Sequence, residues 1–505
     1  MPAKIKWEAY ESFTINASEL EEYLIKMFNL RDPRDPRYAY AVNTIPLMIW
    51  GAPGVGKSAI VRQAFIKAVY KLLEDNNELE KTRIFKKEGG VIEVIDENKF
   101  RKMFRDVRLS TLEPVDLRGL PMYTETKMGI KRTSWAPPIF LPLPGEKLGD
   151  DGPDIKIALL FLDELNAAPK DVQVASYQLI LDRRLGEYVL PDFCFVIAAG
   201  NPPDFVPQLE DMPSPLRNRM SHLTLLPEVK PWLEYAREHD VHPVVVSFLS
   251  IPEHEHMLYT FDPKEEVNGA TPRSWEFLST ILKLYTPEGS TVPVKVPNSI
   301  IYGLLGKTAP IFITFISSVY ILPDKLKPIL KNNVAIIYDW TKDDVIQMLS
   351  KIPEYGRKKS EIREMVNSSI SYTLEKVPGV SNEKDAIAHL ALNIRYIVLE
   401  RILSYIYKYR TVGKLYEYDT DIEEFVDDLV KYSNYCVVNS TGMEDIIPTI
   451  FKELFKAGYE LEKEGNTKLI SILYTKSAEY KKSYPNLWNK VELVLKQMKE
   501  EAKKE

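Results

Sequence analysis

Cysteine is scarce in this chain: Cys194 and Cys436 are the two in 505 residues. That excludes a disulfide-stapled scaffold, and Cys194, inside the apolar run FCFVIAAG, reads as a buried reduced thiol. Positive charge is not in excess either. The 66 Lys and Arg stand against 72 Asp and Glu, a formal net charge of −6, which argues against a surface built as a whole to grip nucleic acid. The N-terminal MPAKIKWEAYESF lacks the apolar stretch of a secretory signal, so the expected setting is cytoplasmic. Long glycine- or serine-rich linkers and low-complexity tracts are missing. No apolar run is uninterrupted at spanning length. The best candidate, Ile300 to Leu322, is broken by Lys307 and Pro310 and diluted by Gly303, Gly306, Thr308, Ser317 and Ser318, and it predicts two buried helices of a soluble α-domain.

What is present is an ordinary globular composition, 45% hydrophobic and 27% charged, in a chain too long for one core. Residues 1–44 read as a helical lead-in whose clearest stretch is SELEEYLIKMF, followed by the turn-rich DPRDPR. IPLMIW, ending at Trp50, reads as a short strand, and SAIVRQAFIKAVYKLL as the helix after it. GGVIEVI, FRDVRL, IALLFLD and CFVIAAG are further strand candidates with helical patterns between several of them, the signature of a parallel sheet covered on both faces. Beyond about Pro227 helical patterns dominate, with VPVKVP as a short strand suggestion. The mixed-charge tail KQMKEEAKKE predicts a solvated helix end.

Between the first strand and its helix lies GAPGVGKS, Gly51 to Ser58, which matches G-x-x-x-x-G-K-[ST] at every fixed position. Glycines there let backbone N–H groups turn toward phosphates, and the following helix adds the positive end of its dipole. Lys57 would reach the β- and γ-phosphates, and the Ser58 hydroxyl would join a Mg²⁺ shell. The expected nucleotide contacts are Gly51, Ala52, Pro53, Gly54, Val55, Gly56, Lys57, Ser58 and Ala59.

Four more stretches carry chemistry. ALLFLDELN ends an apolar strand in Asp163 and Glu164, which would hold Mg²⁺ through water and polarise an attacking water. FVIAAGNPP ends another strand in Asn201, which could fix that water from the opposite side; the same residues also make a good turn. SPLRNRM offers Arg217 and Arg219 as candidates to stabilise charge on a transferring phosphoryl group. GATPRSWEFL starts a helix at Thr271 and Pro272 and puts Arg273 in its first turn, where a cation wants an anion nearby. His254 and His256 in PEHEHML, with no third ligand nearby, read as a solvated turn, and the aromatic KYRTVGKLYEYD beside acidic neighbours reads as ordinary packing.

Together, and in this order, these pieces resemble an AAA+ ATPase. The stretches PVDLRGLP, WAPPIFLPLPGE, DVQVASYQLILDRRLGEYVLPDF and ATPRSWE narrow the resemblance to the MoxR branch, and within it to the ATPases that pair with von Willebrand type A (VWA) proteins. It covers roughly Ile45 to Leu330 and does not reach the final third. It implies Walker A at Gly51–Ser58, Walker B at Asp163 and Glu164, a first sensor at Asn201, an arginine finger at Arg219 and a second sensor at Arg273. The segment from about Arg118 to Pro137 would hold the extra hairpin of this clade. Ala199-Gly200 departs from the Thr or Gln the family often has before the sensor, and Arg217, close by, competes with Arg219 for the finger.

The expectation is thus an α/β P-loop AAA+ core over 45–226 with a parallel sheet, an α-helical lid over 227–330 and an α-helical C-terminal extension over 331–505. The activity implied is Mg²⁺-dependent ATP hydrolysis, coupled to chaperone-like remodelling or assembly of a partner, with a VWA-domain protein as companion. The working form implied is a homo-oligomeric ring, a hexamer favoured, with no membrane span and no nucleic-acid partner. Two other readings share the motifs: a nucleic-acid-directed or restriction-type NTPase of the same clade, and a structural module that uses nucleotide as a clamp.

Overall fold

The computed structural model describes residues 13–30, 46–88, 91–125, 131–149, 152–205, 218, 220–265, 268–288, 290, 292–334, 341–352, 356–412, 418, 421–439, 446–463 and 465–501. The chain forms two compact units. The first comprises Met1–Pro231 with Asp262–Glu265, and the second Trp232–Phe261 with Glu266–Glu505.

The first unit is built on six strands: β1 (Thr14–Ile15), β2 (Leu47–Trp50), β3 (Phe104–Arg108), β4 (Ala158–Asp163), β5 (Cys194–Gly200) and β6 (Ser221–Leu225). They lie in the order β1-β6-β2-β5-β4-β3, every neighbouring pair parallel. From β2 the chain crosses to the far edge at β3, steps back through β4 and β5, and reaches β6 on the other side of β2. The order therefore reverses beside β2, and open parallel sheets bind ligands outside the carboxyl ends of the strands at such a point. Burial on both faces explains why ALLFL of β4 is apolar without alternation.

Helix α1 (Ala17–Asn29) starts at a capping box. Asn16 Oδ1 accepts from the Glu19 N–H at 2.9 Å, and Glu19 Oε2 accepts from the Asn16 N–H at 3.2 Å. Leu20, Leu24 and Phe28, one per turn, face the core, where Phe28 meets Phe65 and Phe195 edge-on at 5.3 and 5.2 Å between centroids. Helix α2 (Lys57–Asp75) supplies Phe65, buried with Val61, Ala64 and Ala68. Each such large apolar side chain contributes about 1.5–3 kcal/mol.

GGVIEVI is not a strand of the main sheet. Val91–Val94 pairs antiparallel with Phe85–Glu88 in a separate hairpin. The strand covers four residues, none of them fully buried, and Glu93 is exposed, unlike the strands inside the sheet. A second separate hairpin pairs Leu120–Glu125 with Lys131–Ala136, within the segment where an extra hairpin was expected. Cys194 and Cys436 are both unbridged and buried, and burial pushes the Cys194 thiol up to about 12.

The second unit is helical. Its spine is the helix Glu383–Val412, which packs against Pro243–Leu249, Ala309–Ile321, Leu326–Lys331, Lys359–Lys376 and Ile447–Lys463. Of the stretches expected as lid and extension, 227–231 and 262–265 belong to the first unit and the rest to this one. The spine is buried on several faces and carries charge inward: Glu400 receives Arg237 through two contacts at 2.6 and 3.2 Å, and Arg401 donates to the Pro323 carbonyl at 2.6 Å. Ile300 to Leu322 forms two helices, Asn298–Leu305 and Ala309–Ile321, and no helix among the described residues is long and apolar enough to cross a membrane.

Two details depart from the sequence reading. VPVKVP holds no strand, because Pro293 and Pro297 remove two ladder donors within six residues. His254 is not in a solvated turn. It is 5% exposed, its ring stacks on Phe248 at 4.2 Å, and its Nδ1 lies 3.0 Å from the Phe248 carbonyl oxygen. His256 is exposed, and of KYRTVGKLYEYD residues 413–417 and 419 lie outside the described residues, while Tyr409 and Tyr418 are buried.

Candidate active site

The loop from Gly51 to Ser58 joins β2 to α2 in backbone geometry that demands glycine. Gly54 has φ 77° and Gly56 φ 103°, both left-handed, and a Cβ on Gly51 would lie 2.9 Å from Val55 Cγ1 and 3.3 Å from the Leu225 carbonyl oxygen. Gly56 is also the N-cap of α2. Without a side chain it cannot cap the helix, so the first turn keeps N–H groups and a positive dipole end for an anion. Pro53 and Ala52 shape the loop, Val55 is buried beneath it, and Ala59 lies in the first turn.

Lys57 is 8% exposed, and its ammonium points back into the loop. It donates to Gly51 O at 2.7 Å, Ala52 O at 3.3 Å and Asn201 Oδ1 at 2.9 Å. Ser58 Oγ donates to Asp163 Oδ2 at 3.1 Å. The sheet order explains these meetings: β5 lies between β2 and β4, so Asn201 past its end sits beside the loop and Asp163 one strand further on.

Glu164 follows Asp163 in a left-handed conformation, φ 56° and ψ 36°, uncommon for a residue with a Cβ and of the kind that collects at functional sites. Its N–H donates to Asp163 Oδ1 at 2.9 Å. Its carboxylate turns toward β3. Ser110 Oγ donates to Oε2 in a short hydrogen bond, and Arg108 Nε stands 3.5 Å from Oε1. Desolvation, reinforced by the Asp163 carboxylate and opposed by Arg108, raises the Asp106 carboxyl above its usual range. Asp106 within β3 and Asp163 and Glu164 at the end of β4 gather negative charge on this side of the sheet, where a cation would be favoured.

The residues present fit Mg²⁺. A serine hydroxyl and a carboxylate in contact are oxygen donors of the hard kind, and magnesium takes one or two protein ligands with water and substrate phosphates completing its shell. A cluster of three or more side-chain ligands is not needed, and none occurs among the described residues.

Sequence reasoning placed Lys57, Ser58, Asp163, Glu164 and Asn201, and the fold brings all five together. Arg217 and Arg219 lie outside the described residues. Arg273 belongs to the second unit, exposed at the second position of the helix Pro272–Leu284, which Thr271 caps through the Ser274 N–H at 3.1 Å. The Glu276 carboxylate, held above its usual range by burial, feels Arg273 as a counter-charge, so an anion for this cation exists on its own helix. Sequence reasoning missed Arg108, Ser110 and Asn166. The available signal was the placement of polar residues just beyond the carboxyl end of a buried strand, in FRDVRLS and in DELN.

No protein-family model matches the chain, and no curated protein matches it. Two solved structures of NtrX from Brucella abortus are similar in part. One is 14% identical over 66% of this chain and 66% of that one, with a TM-score of 0.26. The other, in complex with ADP, is 12% identical over 76% of this chain and 68% of that one, with a TM-score of 0.30. The chain thus spans just under two thirds of the first NtrX chain. At these scores the likeness adds nothing to what the geometry of the site carries.

Proposed function

We propose that this chain is an AAA+ ATPase of the MoxR type, which hydrolyses ATP with Mg²⁺ and uses the energy to remodel or assemble a partner protein. The observation that carries the proposal is the convergence of Lys57, Ser58, Asp163, Glu164 and Asn201 at the carboxyl ends of three strands, around a glycine loop shaped for phosphate. A clamp that only binds nucleotide has no use for Glu164 in strained backbone beside Asp163.

The residues divide the work. Loop N–H groups and Lys57 bind the phosphates, Lys57 exchanging its internal acceptors for phosphate oxygens. Ser58 and Asp163 would hold Mg²⁺, which supplies neutralisation of phosphate charge. Glu164 orients a water and takes its proton as the water oxygen bonds to the γ-phosphorus and the bond to the β,γ-bridging oxygen breaks. Asn201 steadies the water from the other side. Arg219, from a neighbouring subunit of a ring, and Arg273 would counter the developing charge. The VWA-domain companion, the hexameric ring, the cytoplasmic setting and the division of the helical unit into lid (227–330) and extension (331–505) belong to the same proposal, supported by the motif stretches quoted above.

The test is hydrolysis of ATP by the purified chain with Mg²⁺ and with a chelator, alongside Lys57→Ala and Glu164→Gln. Lys57→Ala should weaken ATP binding. Glu164→Gln should bind ATP like the parent and turn over about 10²–10⁴-fold more slowly, the usual worth of a positioned base. Parental turnover by Glu164→Gln, or a parent that binds no ATP, overturns the proposal. A clear preference for GTP would return the chain to the restriction-type reading.

A further inference from the structure

Asn166 lies on the tight turn Leu165–Ala167 that follows Glu164, and it is 4% exposed. Its side-chain Nδ2 donates to the main-chain oxygen of Asn201 at 2.6 Å, a bond that crosses from the end of β4 to the end of β5. The amide also lies close to Gly200, the last residue of β5. A Cβ on Gly200 would stand 2.3 Å from Asn166 Oδ1 and 2.7 Å from Met48 Cε, so a larger residue there would push both side chains aside. The turn that carries Asn166 is fastened from behind, where Gln173, 5% exposed, donates through Nε2 to the Ala168 carbonyl at 2.9 Å.

The chemistry of the buried amide says which end matters. Asn166 Oδ1 is buried without a hydrogen-bond partner among the described residues. Leaving an acceptor unpaired is costly, and a leucine of similar size would avoid the cost. What the amide supplies, and an apolar side chain could not, is the donor to Asn201. Asn201 is held at two points, its carbonyl by Asn166 and its side chain by Lys57, and Pro202 and Pro203 stiffen the chain just beyond it.

We infer that Asn166 is a positioning residue: it ties the turn bearing Glu164 to the backbone of Asn201, so that the Asn201 amide keeps its place when Lys57 leaves it for a phosphate. The inference rests on the ATPase reading above. Lys57 can give up Asn201 Oδ1 for a phosphate oxygen, but the bond from Asn166 does not depend on nucleotide. Asn166 therefore acts on turnover and not on nucleotide capture.

The experiment compares steady-state ATP hydrolysis, and binding of a fluorescent ATP analogue, for the parent, Asn166→Ala, Asn166→Asp, Asn201→Ala and the double variant Asn166→Ala/Asn201→Ala. Asn166→Ala should lose about 10²-fold in kcat, the cost of misplacing an active-site group by an ångström, with KM within about threefold of the parent. The double variant should be no slower than Asn201→Ala, because nothing remains to be positioned. Asn166→Asp keeps the size but, ionised, cannot donate, and should be as slow as Asn166→Ala. It also decides the matter if the alanine variant does not fold. Turnover by Asn166→Ala within about twofold of the parent, losses that add in full in the double variant, or an aspartate variant at the parent rate would each overturn the inference. A parent that hydrolyses no ATP fails at the earlier step, and so is told apart from a failure of Asn166.

Discussion

Lys57 Nζ and Asn201 Oδ1 stand 2.9 Å apart, and the same ammonium donates to the carbonyl oxygens of Gly51 and Ala52. An ammonium has three hydrogens, and the protein supplies an acceptor for each. On the proposed ATPase reading, phosphate capture would therefore be an exchange of partners and not the filling of an empty valence. The exchange would release the Asn201 amide as the γ-phosphate arrives. Binding and the placing of a group for chemistry would then be one event, linked by β5, which lies between β2 and β4.

The same logic applies to Glu164. Its two carboxylate oxygens are engaged by Ser110 and Arg108, and these partners must be given up before the carboxylate can turn to a water at the glycine loop. Ser110→Ala should therefore raise basal ATP turnover, by about fivefold or more if the lost bond is worth the about 1–2 kcal/mol usual for a charged acceptor. Nucleotide affinity should be unchanged. Slower turnover in this variant would mean that Ser110 holds Glu164 in its working position instead.

A second expectation concerns acid. Burial, helped by Lys283, Lys408 and Arg401, pushes His242 down to about 3, and burial pushes His254 down to about 4. His242 is neutral in the fold. Its Nδ1 accepts from the Val244 N–H at 3.2 Å and its Nε2 meets Thr286 Oγ1 at 3.1 Å. Unfolded, both rings titrate near 6.5. Below that pH the unfolded chain binds protons that the native chain refuses. Their stabilisation is thus complete above about pH 6.5 and is lost as pH falls toward 4 and 3, at up to about 1.4 kcal/mol per pH unit for each ring. Urea midpoints measured at pH 7.5 and 5.5 should fall for the parent and fall less for His242→Asn. Equal falls would show that this ring does not set the acid sensitivity.

How far the sequence could be read follows from where each signal resides. The glycine loop, Asp163, Glu164 and Asn201 each sit in a contiguous stretch whose local pattern already names strand, turn and helix, so their places at the strand ends could be read in one dimension. Arg108, Ser110 and Asn166 reach Glu164 and Asn201 only because β3 lies beside β4 and β4 beside β5, and strand order is not written in any single stretch. GGVIEVI shows the converse failure. Its apolar residues suit a buried strand, but its partner is the preceding Phe85–Glu88, and a short antiparallel hairpin looks the same locally. His254 fails for a related reason: the charged neighbours in PEHEHML suggest water, while a short 3₁₀ turn sends this one side chain inward against Phe248.

The last expectation concerns assembly. The resemblance that names Arg219 as a finger also places it against the nucleotide of the next subunit, and a finger supplied across an interface can be worth about 10³–10⁵ in rate. Arg219→Ala should fold, bind ATP almost as the parent does and hydrolyse it slowly. Lys57→Ala should fail at binding. Mixed, the two should recover part of the activity, because in a mixed ring the Lys57→Ala subunit lends its intact Arg219 to the intact loop of an Arg219→Ala neighbour. Neither variant can do this by itself. A finger acting within its own chain, or a monomeric enzyme, gives no recovery at any mixing ratio. Arg217→Ala, mixed in the same way, separates the two candidates: recovery with Arg217→Ala in place of Arg219→Ala moves the finger by two residues, and recovery with neither removes the argument for a ring.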